Sequence, residues 1–228
     1  MPGSPHRLSP SVEDYLKAVF ALTRREEAAS TSALAEALAV QPSSVTGMVK
    51  RLAGEGLLEH VPYRGVSLTA VGQREALRIL RRHRVLETYL TERLGFAWDD
   101  VHDEAERLEH AASDRLIEAM AAALGHPSHD PHGAPIPTAS GEIEVMDLPT
   151  LAQCAPGDTV TVRAVPDEDG EALRAMESRG VGPGVMVTVG PPPADGEGMV
   201  LRVDGDERPL AVAREVAHRI LVARDDTP

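Results

Sequence analysis

Six side chains with imidazole or carboxylate groups recur at helical spacing in the middle of the chain. They are His83, Glu87, His102, Glu106, Glu109 and His110. The first two are four residues apart and the last four are separated by four, three and one, so each set faces broadly one way if its segment is helical. Neutral imidazoles and carboxylates together suit divalent Mn, Fe, Ni or Zn. Spacing alone leaves open a second interpretation, in which acidic helices carry histidines on a solvated face.

Two long amphipathic patterns must position these side chains. One covers residues 70–94 and the other begins at residue 99 or 100 and continues to 124; each is charged on one side and aliphatic on the other. An antiparallel helix pair with an apolar face left over is typical of a homodimerisation unit. Such a homodimer would place two DNA-reading heads about one DNA turn apart.

The N-terminal region has the pattern of a winged helix-turn-helix. Helical spacing covers residues 11–23 and 31–38, is broken at 40–43, and resumes over 44–52. Residues 57–61 and 66–69 then predict two strands around a tight turn, which would form the wing.

The start of the second helix of such a motif is where base edges and phosphates are usually contacted. Hydroxyl side chains there suit phosphates and thymine methyl groups better than guanine readout. The predicted contacts at this helix start are Gln41, Pro42, Ser43, Ser44 and Thr46. Predicted contacts to the DNA backbone are Lys50, Arg51 and Arg64, whose alternative is to be surface charges without a role.

The C-terminal part predicts a small β domain. Proline and glycine between residues 125 and 137 indicate a linker or an ordered loop. Short β-like segments follow at 159–165, 185–189, 199–203, 210–213 and 220–222, with a helical pattern at 171–179, and together they favour a barrel of SH3-like type. The fold class is therefore mainly α with a small β domain. The predicted domains are a DNA-binding domain (residues 1–72), a helical metal-binding and dimerisation domain (73–140) and an SH3-like domain (150–226).

Composition limits the setting in which the protein works. The chain has 228 residues, one cysteine, no apolar run long enough for a membrane span and no signal-like N-terminus, which together predict a cytoplasmic protein without membrane contact. The net charge is −13, yet residues 1–74 hold eight Lys/Arg against seven acids, while residues 141–228 hold seventeen acids against eight arginines. A nearly neutral reading head binds DNA weakly through phosphates alone, so a bound cation could serve to hold the heads in place.

No motif of an enzyme stands out. A phosphate-binding loop, a serine nucleophile elbow and the HExxH zinc motif are all missing from the sequence, so we expect no catalysis. The three histidines His126, His129 and His132 have a regular spacing, but a proline-rich loop does not fix their geometry and we expect incidental roles for them.

The helix-pair residues, with their neighbours, resemble the diphtheria toxin repressor family of metal-dependent regulators. The stretches that carry the resemblance are Arg82–Arg84 with Glu87 and Leu90, Val101–His110 with Ser113-Asp114, Asp130–Pro137, Glu13–Leu16 and Leu68–Gly72. The resemblance covers essentially the whole chain. It implies a regulatory metal site formed by Asp14, Glu106, Glu109 and His110. It also implies an ancillary site formed by His83, Glu87 and His102 and completed from the tail by Glu168 and Glu171.

The resemblance also bears on the metal. Iron-responsive members have methionine and cysteine where this chain has Asp14 and Glu106, whereas manganese-responsive members have carboxylates there. Because carboxylates favour hard Mn(II), we expect manganese, with Fe(II) as the alternative and other divalent metals as substitutes in vitro. Lys17 departs from some manganese regulators, which have another acid at that position, and this puts their two-metal arrangement in doubt.

The function that these observations favour is a metal-dependent homodimeric repressor of metal-uptake genes that binds a double-stranded DNA operator. Two rivals remain at this point. One is a metalloenzyme whose helix-turn-helix is an interaction module, and the other is a constitutive winged-helix repressor with vestigial metal ligands.

Overall fold

The computed structural model describes residues 8–24, 27–61, 63–167, 169–193, 198–203 and 208–224. Its contacts divide the chain into two compact units. The first contains residues 1–82, 109–111 and 137–143, and the second contains residues 83–108, 112–136 and 144–228. The division into three domains stays a prediction. No helix among the described residues is both long and apolar enough to cross a membrane.

The first unit has the predicted winged helix-turn-helix. Helices α1 (Pro10–Thr23), α2 (Thr31–Ala37) and α3 (Pro42–Gly54) precede an antiparallel hairpin of β1 (Leu58–Val61) and β2 (Gly65–Leu68), in which Leu58 pairs with Leu68. The apolar stripes of the three helices and the inner side of the hairpin bury one aliphatic core, centred on Leu16, Leu34 and Leu52. This core fixes the outer face of α3 as the exposed one.

Helix α4 (Ala70–Leu94) has the predicted bounds. It begins after Thr69, whose hydroxyl accepts a hydrogen bond from the N–H of Gly72 at 3.1 Å, as a helix-capping residue does. Because α4 is one continuous helix, the ligand-type residues His83 and Glu87 are held one turn apart on a rigid element of the second unit.

The prediction of one helix from residue 99 or 100 to 124 was wrong. Helix α5 covers Val101–Glu109 and a separate helix α6 covers Asp114–Ala123. The break occurs because Ser113 caps a new helix, its Oγ accepting from the N–H of Leu116 at 3.2 Å. His110 therefore lies just after the end of α5 and does not continue the helical row of His102, Glu106 and Glu109.

The second unit contains two apolar clusters. Val85, Leu86, Ala105 and Ile117 pack between α4, α5 and α6. The other cluster belongs to a five-stranded antiparallel sheet with the order β6-β5-β4-β3-β7. Its strands are β3 (Thr159–Ala164), β4 (Met186–Val189), β5 (Met199–Val203), β6 (Leu210–Val212) and β7 (Leu221–Arg224).

Two short helices accompany the sheet. They are α7 (Gly170–Glu177), which sequence spacing predicted, and α8 (Arg214–Ala217), which it did not. The sheet and α7 enclose the side chain of Trp98, the chain's one tryptophan. The small β domain expected from the sequence is therefore present, and Trp98, from the turn between α4 and α5, is part of its core.

Candidate metal centres

The first candidate centre lies in the first unit and is formed by α1 and the residues that end and follow α5. Asp14, Glu109 and His110 each offer a ligand atom, and these atoms lie within 4.8 Å of one another. His110 Nε2 is 3.0 Å from Asp14 Oδ1 and 3.8 Å from Glu109 Oε1. One imidazole and two carboxylates are a donor set that suits a divalent first-row metal, so these residues fit the predicted cation.

Two buried residues fix the orientation of His110. Its Nδ1 is 2.7 Å from Glu13 Oε2, so Glu13 holds this nitrogen and leaves Nε2 directed at Asp14. Arg82 Nη1 donates to the other oxygen of Glu13 at 3.2 Å, and both side chains are almost fully buried. A carboxylate behind a ligating histidine is a recurrent arrangement in metal sites, and sequence reasoning missed this role of Glu13.

A lysine enters the same centre. Lys17 Nζ lies 2.8 Å from Glu109 Oε1, and the carboxylate of Glu109 is fully buried. The ammonium thus places a positive charge beside a buried carboxylate of the centre. In this chain, part of the charge of the carboxylate cluster is already balanced by a side chain of α1.

Glu106, the remaining predicted ligand of this centre, belongs to the second unit. It lies on α5 three residues before Glu109, and this spacing puts both carboxylates on one face of that helix. Within its own unit, Glu106 Oε1 is 3.9 Å from His83 Nδ1 and 3.9 Å from His102 Nε2.

The second candidate centre lies in the second unit around Glu87. Glu87 Oε1 is 2.9 Å from His83 Nε2 and 3.3 Å from His102 Nδ1, and the two imidazole rings meet edge to face with centroids 4.9 Å apart. Asp167 Oδ2 lies 3.9 Å from His102 Nδ1 and completes a set of four possible ligands. The structure therefore brings together the three predicted helix ligands and adds an acid from the tail.

Of the two tail residues that the sequence suggested, the structure describes one. Glu168 lies outside the described residues, and Glu171 is exposed in the first turn of α7. Asp167, which precedes Glu168, is the tail carboxylate that the structure places beside His102.

The far side of Glu87 faces a third group of ligand-type residues, Asp130 and His132, from the loop after α6. His132 Nε2 is 3.1 Å from the carbonyl oxygen of Trp98, which can only accept, so Nε2 carries the proton and Nδ1 presents a lone pair. That Nδ1 is 4.0 Å from Glu87 Oε2. Both atoms are fully buried without a hydrogen-bond partner among the described residues. Lone pairs that meet in this way fit a cation.

The loop that supplies Asp130 and His132 is fixed by its own contacts. Asp130 Oδ1 accepts from the backbone N–H groups of His132 and Ala134, each at 2.9 Å, and Arg84 Nε lies 3.3 Å from Asp130 Oδ2. A side chain on Gly133 would meet the carbonyl oxygen of Arg163 on β3, because its built Cβ lies 2.1 Å from that oxygen. The regular spacing of His126, His129 and His132 in the sequence predicts only an incidental role for His132 and does not reveal its position beside Glu87.

The pKa values in this second centre reflect burial opposed by charge. Burial raises the pKa of the Glu87 carboxyl, but the charge of His83 and the hydrogen bonds from His102 and His83 outweigh it, and the pKa falls well below its usual value. Burial lowers the pKa of His102, yet the bond to Glu87 and the charge of Asp167 raise it overall. Burial and the nearby charge of Glu87 raise the pKa of Asp130 to about 6.

Except for Arg64, the predicted DNA contacts lie at the start or on the exposed side of the first unit's α3. Gln41 precedes the helix, Pro42 is its first residue, and Ser43, Ser44 and Thr46 are exposed in its first turns. Lys50 and Arg51 are exposed further along the same helix. Arg64 lies in the turn of the wing hairpin, where it forms an ion pair with Glu27.

Comparisons with known proteins agree with a DNA-binding region that is followed by a metal-binding region. Residues 7–66 match the family model "Iron dependent repressor, N-terminal DNA binding domain", and residues 69–138 match "Iron dependent repressor, metal binding and dimerisation domain". Residues 150–224 match the FeoA domain. The three matches follow one another along almost the entire chain.

Individual relatives and solved structures point the same way. The iron-dependent repressor IdeR of Mycobacterium leprae is 27% identical in an alignment of 227 positions that covers 94% of this chain and 97% of that protein. The transcriptional regulator MntR of Oceanobacillus iheyensis is 38% identical over 112 residues, which are 49% of this chain and 76% of that protein. A solved manganese-dependent transcriptional repressor in complex with manganese is 38% identical, covers 93% of this chain and 99% of its own, and superimposes with a TM-score of 0.83. The chain therefore belongs to the diphtheria toxin repressor family of metal-dependent, DNA-binding transcriptional repressors, which are not enzymes.

Proposed function

We propose that this protein is a manganese-responsive homodimeric repressor whose regulatory ion is held by Asp14, Glu106, Glu109 and His110. The observation that carries the proposal is the geometry of His110, whose Nε2 lies 3.0 Å from Asp14 while its Nδ1 is held by Glu13. Asp14 belongs to the DNA-binding domain, and Glu106 and Glu109 belong to a helix of the dimerisation domain. An ion that requires ligands from both would fix the orientation of the reading head.

The first centre is suited to respond to metal. Its carboxylates repel one another, and a bound cation would neutralise them. Glu13 and Arg82 hold His110 in the orientation that a ligand needs, so little reorganisation remains when metal arrives. Before metal binds, the ammonium of Lys17 balances part of the negative charge of these carboxylates.

The donor types favour manganese. Asp14 and Glu106 supply oxygen ligands where sulfur ligands would select softer and later metals. Relatives named as manganese-dependent and as iron-dependent repressors are both similar to this chain, so iron(II) is the second candidate.

We further propose that Glu87, His83, His102 and Asp167 hold an ancillary ion, with Asp130 and His132 on the far side of the Glu87 carboxylate. This ion would stabilise the second unit, because it would neutralise the buried carboxylate that both imidazoles contact. The targets that we propose are palindromic operators of metal-uptake genes, which a symmetric dimer reads with its two heads.

The test is an operator titration. An operator is first selected from random DNA duplexes by the manganese-loaded protein, and its affinity is then measured under anaerobic conditions with Mn(II), Fe(II), Zn(II) or a chelator. We expect Mn(II) to tighten operator binding by a factor in the range of about 5 to 150, which is typical of coupled sites.

Each alternative has its own result in this titration. Equal affinity with metal and with chelator would identify a constitutive repressor and overturn metal control. A larger effect of Fe(II) at a lower free concentration would replace manganese by iron.

A further inference from the structure

Gly47 lies in the interior of α3, one and a half turns after the helix begins at Pro42. Its φ is not in the left-handed region, and a Cβ built on it meets no atom within 4 Å. Glycine in an exposed helix interior destabilises the helix relative to alanine because the unfolded chain is more flexible. Among the described residues, neither backbone conformation nor packing requires a glycine here.

The position of Gly47 on the helix indicates a role in contact with DNA. Val45, Val49 and Leu52 are buried and define the inner face of α3. Gly47 is exposed, three to four residues after Ser43 and Ser44 and three to four before Lys50 and Arg51. Residues at these separations are neighbours on a helix surface, so Gly47 lies at the middle of the outward face. In a helix-turn-helix this face enters the major groove.

Thr46, beside Gly47, strengthens the apolar character of this surface. Its hydroxyl is used within the helix, because Oγ1 donates to the carbonyl oxygen of Pro42 at 3.1 Å. The hydroxyl hydrogen of Thr46 is therefore already used within the helix, and its methyl group is an apolar feature beside Gly47. Gly47 itself presents only its Cα hydrogens.

We propose that Gly47 is a specificity-determining position, where the absent side chain lets the backbone of α3 lie against the edge of a base in the major groove. Gly47 has no side chain that could donate or accept, and together with the methyl group of Thr46 it fits the thymine 5-methyl group in the major groove. The inference rests on operator binding by α3, as in the proposed function, but it does not depend on which metal is bound.

The experiment compares Gly47→Ala with Gly54→Ala in the full-length, manganese-loaded protein. Gly54 is the matched control because it is also exposed, lies on α3, has ordinary φ and meets no atom within 4 Å of a built Cβ. Both substitutions are expected to raise the midpoint of thermal unfolding, by roughly 2 °C, because alanine favours the helix. The two variants should differ only in their affinity for DNA.

Gly47→Ala is expected to weaken binding of the selected operator by roughly tenfold or more, the size of a lost base contact. Its affinity for duplexes of unrelated sequence should remain within about twofold of wild type, since that binding depends on phosphates. Gly54→Ala should match wild type on both DNAs. Replacing operator thymines one at a time by deoxyuridine should identify a position where wild type loses affinity and Gly47→Ala loses no more.

Two results would overturn the inference. One is a Gly47→Ala protein that binds the operator as tightly as wild type while wild type discriminates among sequences. The other is an equal loss on operator and unrelated DNA, which would indicate a general defect of the helix. A wild-type protein that shows no sequence preference even with metal would overturn this inference and operator recognition together.

Discussion

The charged side chains of the two candidate centres differ in the partners that the chain provides for them. In the first, each ligand-type side chain already has a counterpart from the chain: Glu109 has Lys17, and His110 has Glu13 and Asp14. In the second, Glu87 Oε2 and His132 Nδ1 face each other at 4.0 Å, buried and without hydrogen bonds among the described residues. The side chains of the first centre are balanced by one another, whereas two buried polar atoms of the second face each other with no hydrogen bond among the described residues.

The two centres also differ in the solvent exposure of their ligand-type side chains. The side chain of Asp14 is 39% exposed and that of His110 is 18% exposed, while those of Glu87 and His132 are fully buried. A buried polar atom without a partner costs about 1–3 kcal/mol. We therefore expect the second centre to bind its ion tightly and to act as a structural element. The first, partly open to solvent, is suited to gain and lose metal as its concentration changes.

The largest expected effect is that of Glu87→Gln on the second centre. An amide cannot replace the carboxylate that both imidazoles and His132 face, so the protein should bind one ion fewer per chain. The gain in the free energy of unfolding on adding manganese should fall by about 3 kcal/mol when free metal is about one hundred times its Kd. Ion stoichiometry by equilibrium dialysis and urea unfolding with and without manganese measure this.

The control for that variant is Glu92→Gln, an exposed carboxylate on the same helix. It should leave stoichiometry and unfolding unchanged. Unaltered ion number and metal-dependent stabilisation in Glu87→Gln would contradict the structural role of the second centre.

A smaller effect is expected for Glu13→Gln in the first centre. The amide oxygen can still accept from His110, but the charge that orients the imidazole and balances Arg82 is lost. Manganese affinity at this centre should fall about 10- to 100-fold, as for other residues that orient metal ligands. Unfolding without metal should become easier by about 1–2 kcal/mol, because Arg82 loses the opposite charge but keeps a hydrogen-bond acceptor at this position.

Isothermal titration with manganese and urea unfolding report these two quantities for Glu13→Gln. Glu36→Gln, an exposed acid on α2, is the matched control. If Glu13→Gln binds manganese like the control, Glu13 does not orient His110 for a metal.

The smallest expected effect is that of Lys17→Met, and its sign is opposite. Removing the ammonium beside Glu109 removes a charge that repels an incoming cation. Manganese affinity should therefore rise, by roughly threefold to tenfold after allowance for solvent screening. Lys17→Arg, which keeps the charge, should bind like wild type. A fall in affinity in Lys17→Met would show that the lysine supports the centre instead of competing with metal.

Much of the fold could be predicted because amphipathic spacing is a strong local signal. Helix α4 has the predicted bounds, and the wing and the tail strands differ from prediction by only one or two residues at most ends. The break between α5 and α6 was missed because no proline or glycine marks it; only the capping geometry of Ser113 does. That break decides where His110 lies.

The sites could be predicted only as far as they lie on regular helices. His83, Glu87 and His102 meet as expected because helix geometry fixes their separation. Asp130, His132 and Asp167 come from loops whose shape depends on contacts distant in sequence, such as the approach of Gly133 to Arg163. Glu13 was missed because its role follows from the burial of Arg82, which sequence spacing does not reveal.

The central claim is that the ion held with Asp14 is energetically coupled to DNA binding, and linkage tests it most directly. Manganese affinity is measured with and without operator DNA, and operator affinity with and without manganese, for wild type and Asp14→Ala. In wild type the two coupling factors must be equal, within about 5 to 150, and in Asp14→Ala both should fall to about one while the second centre keeps its ion. Full manganese-stimulated operator binding by Asp14→Ala would contradict the account.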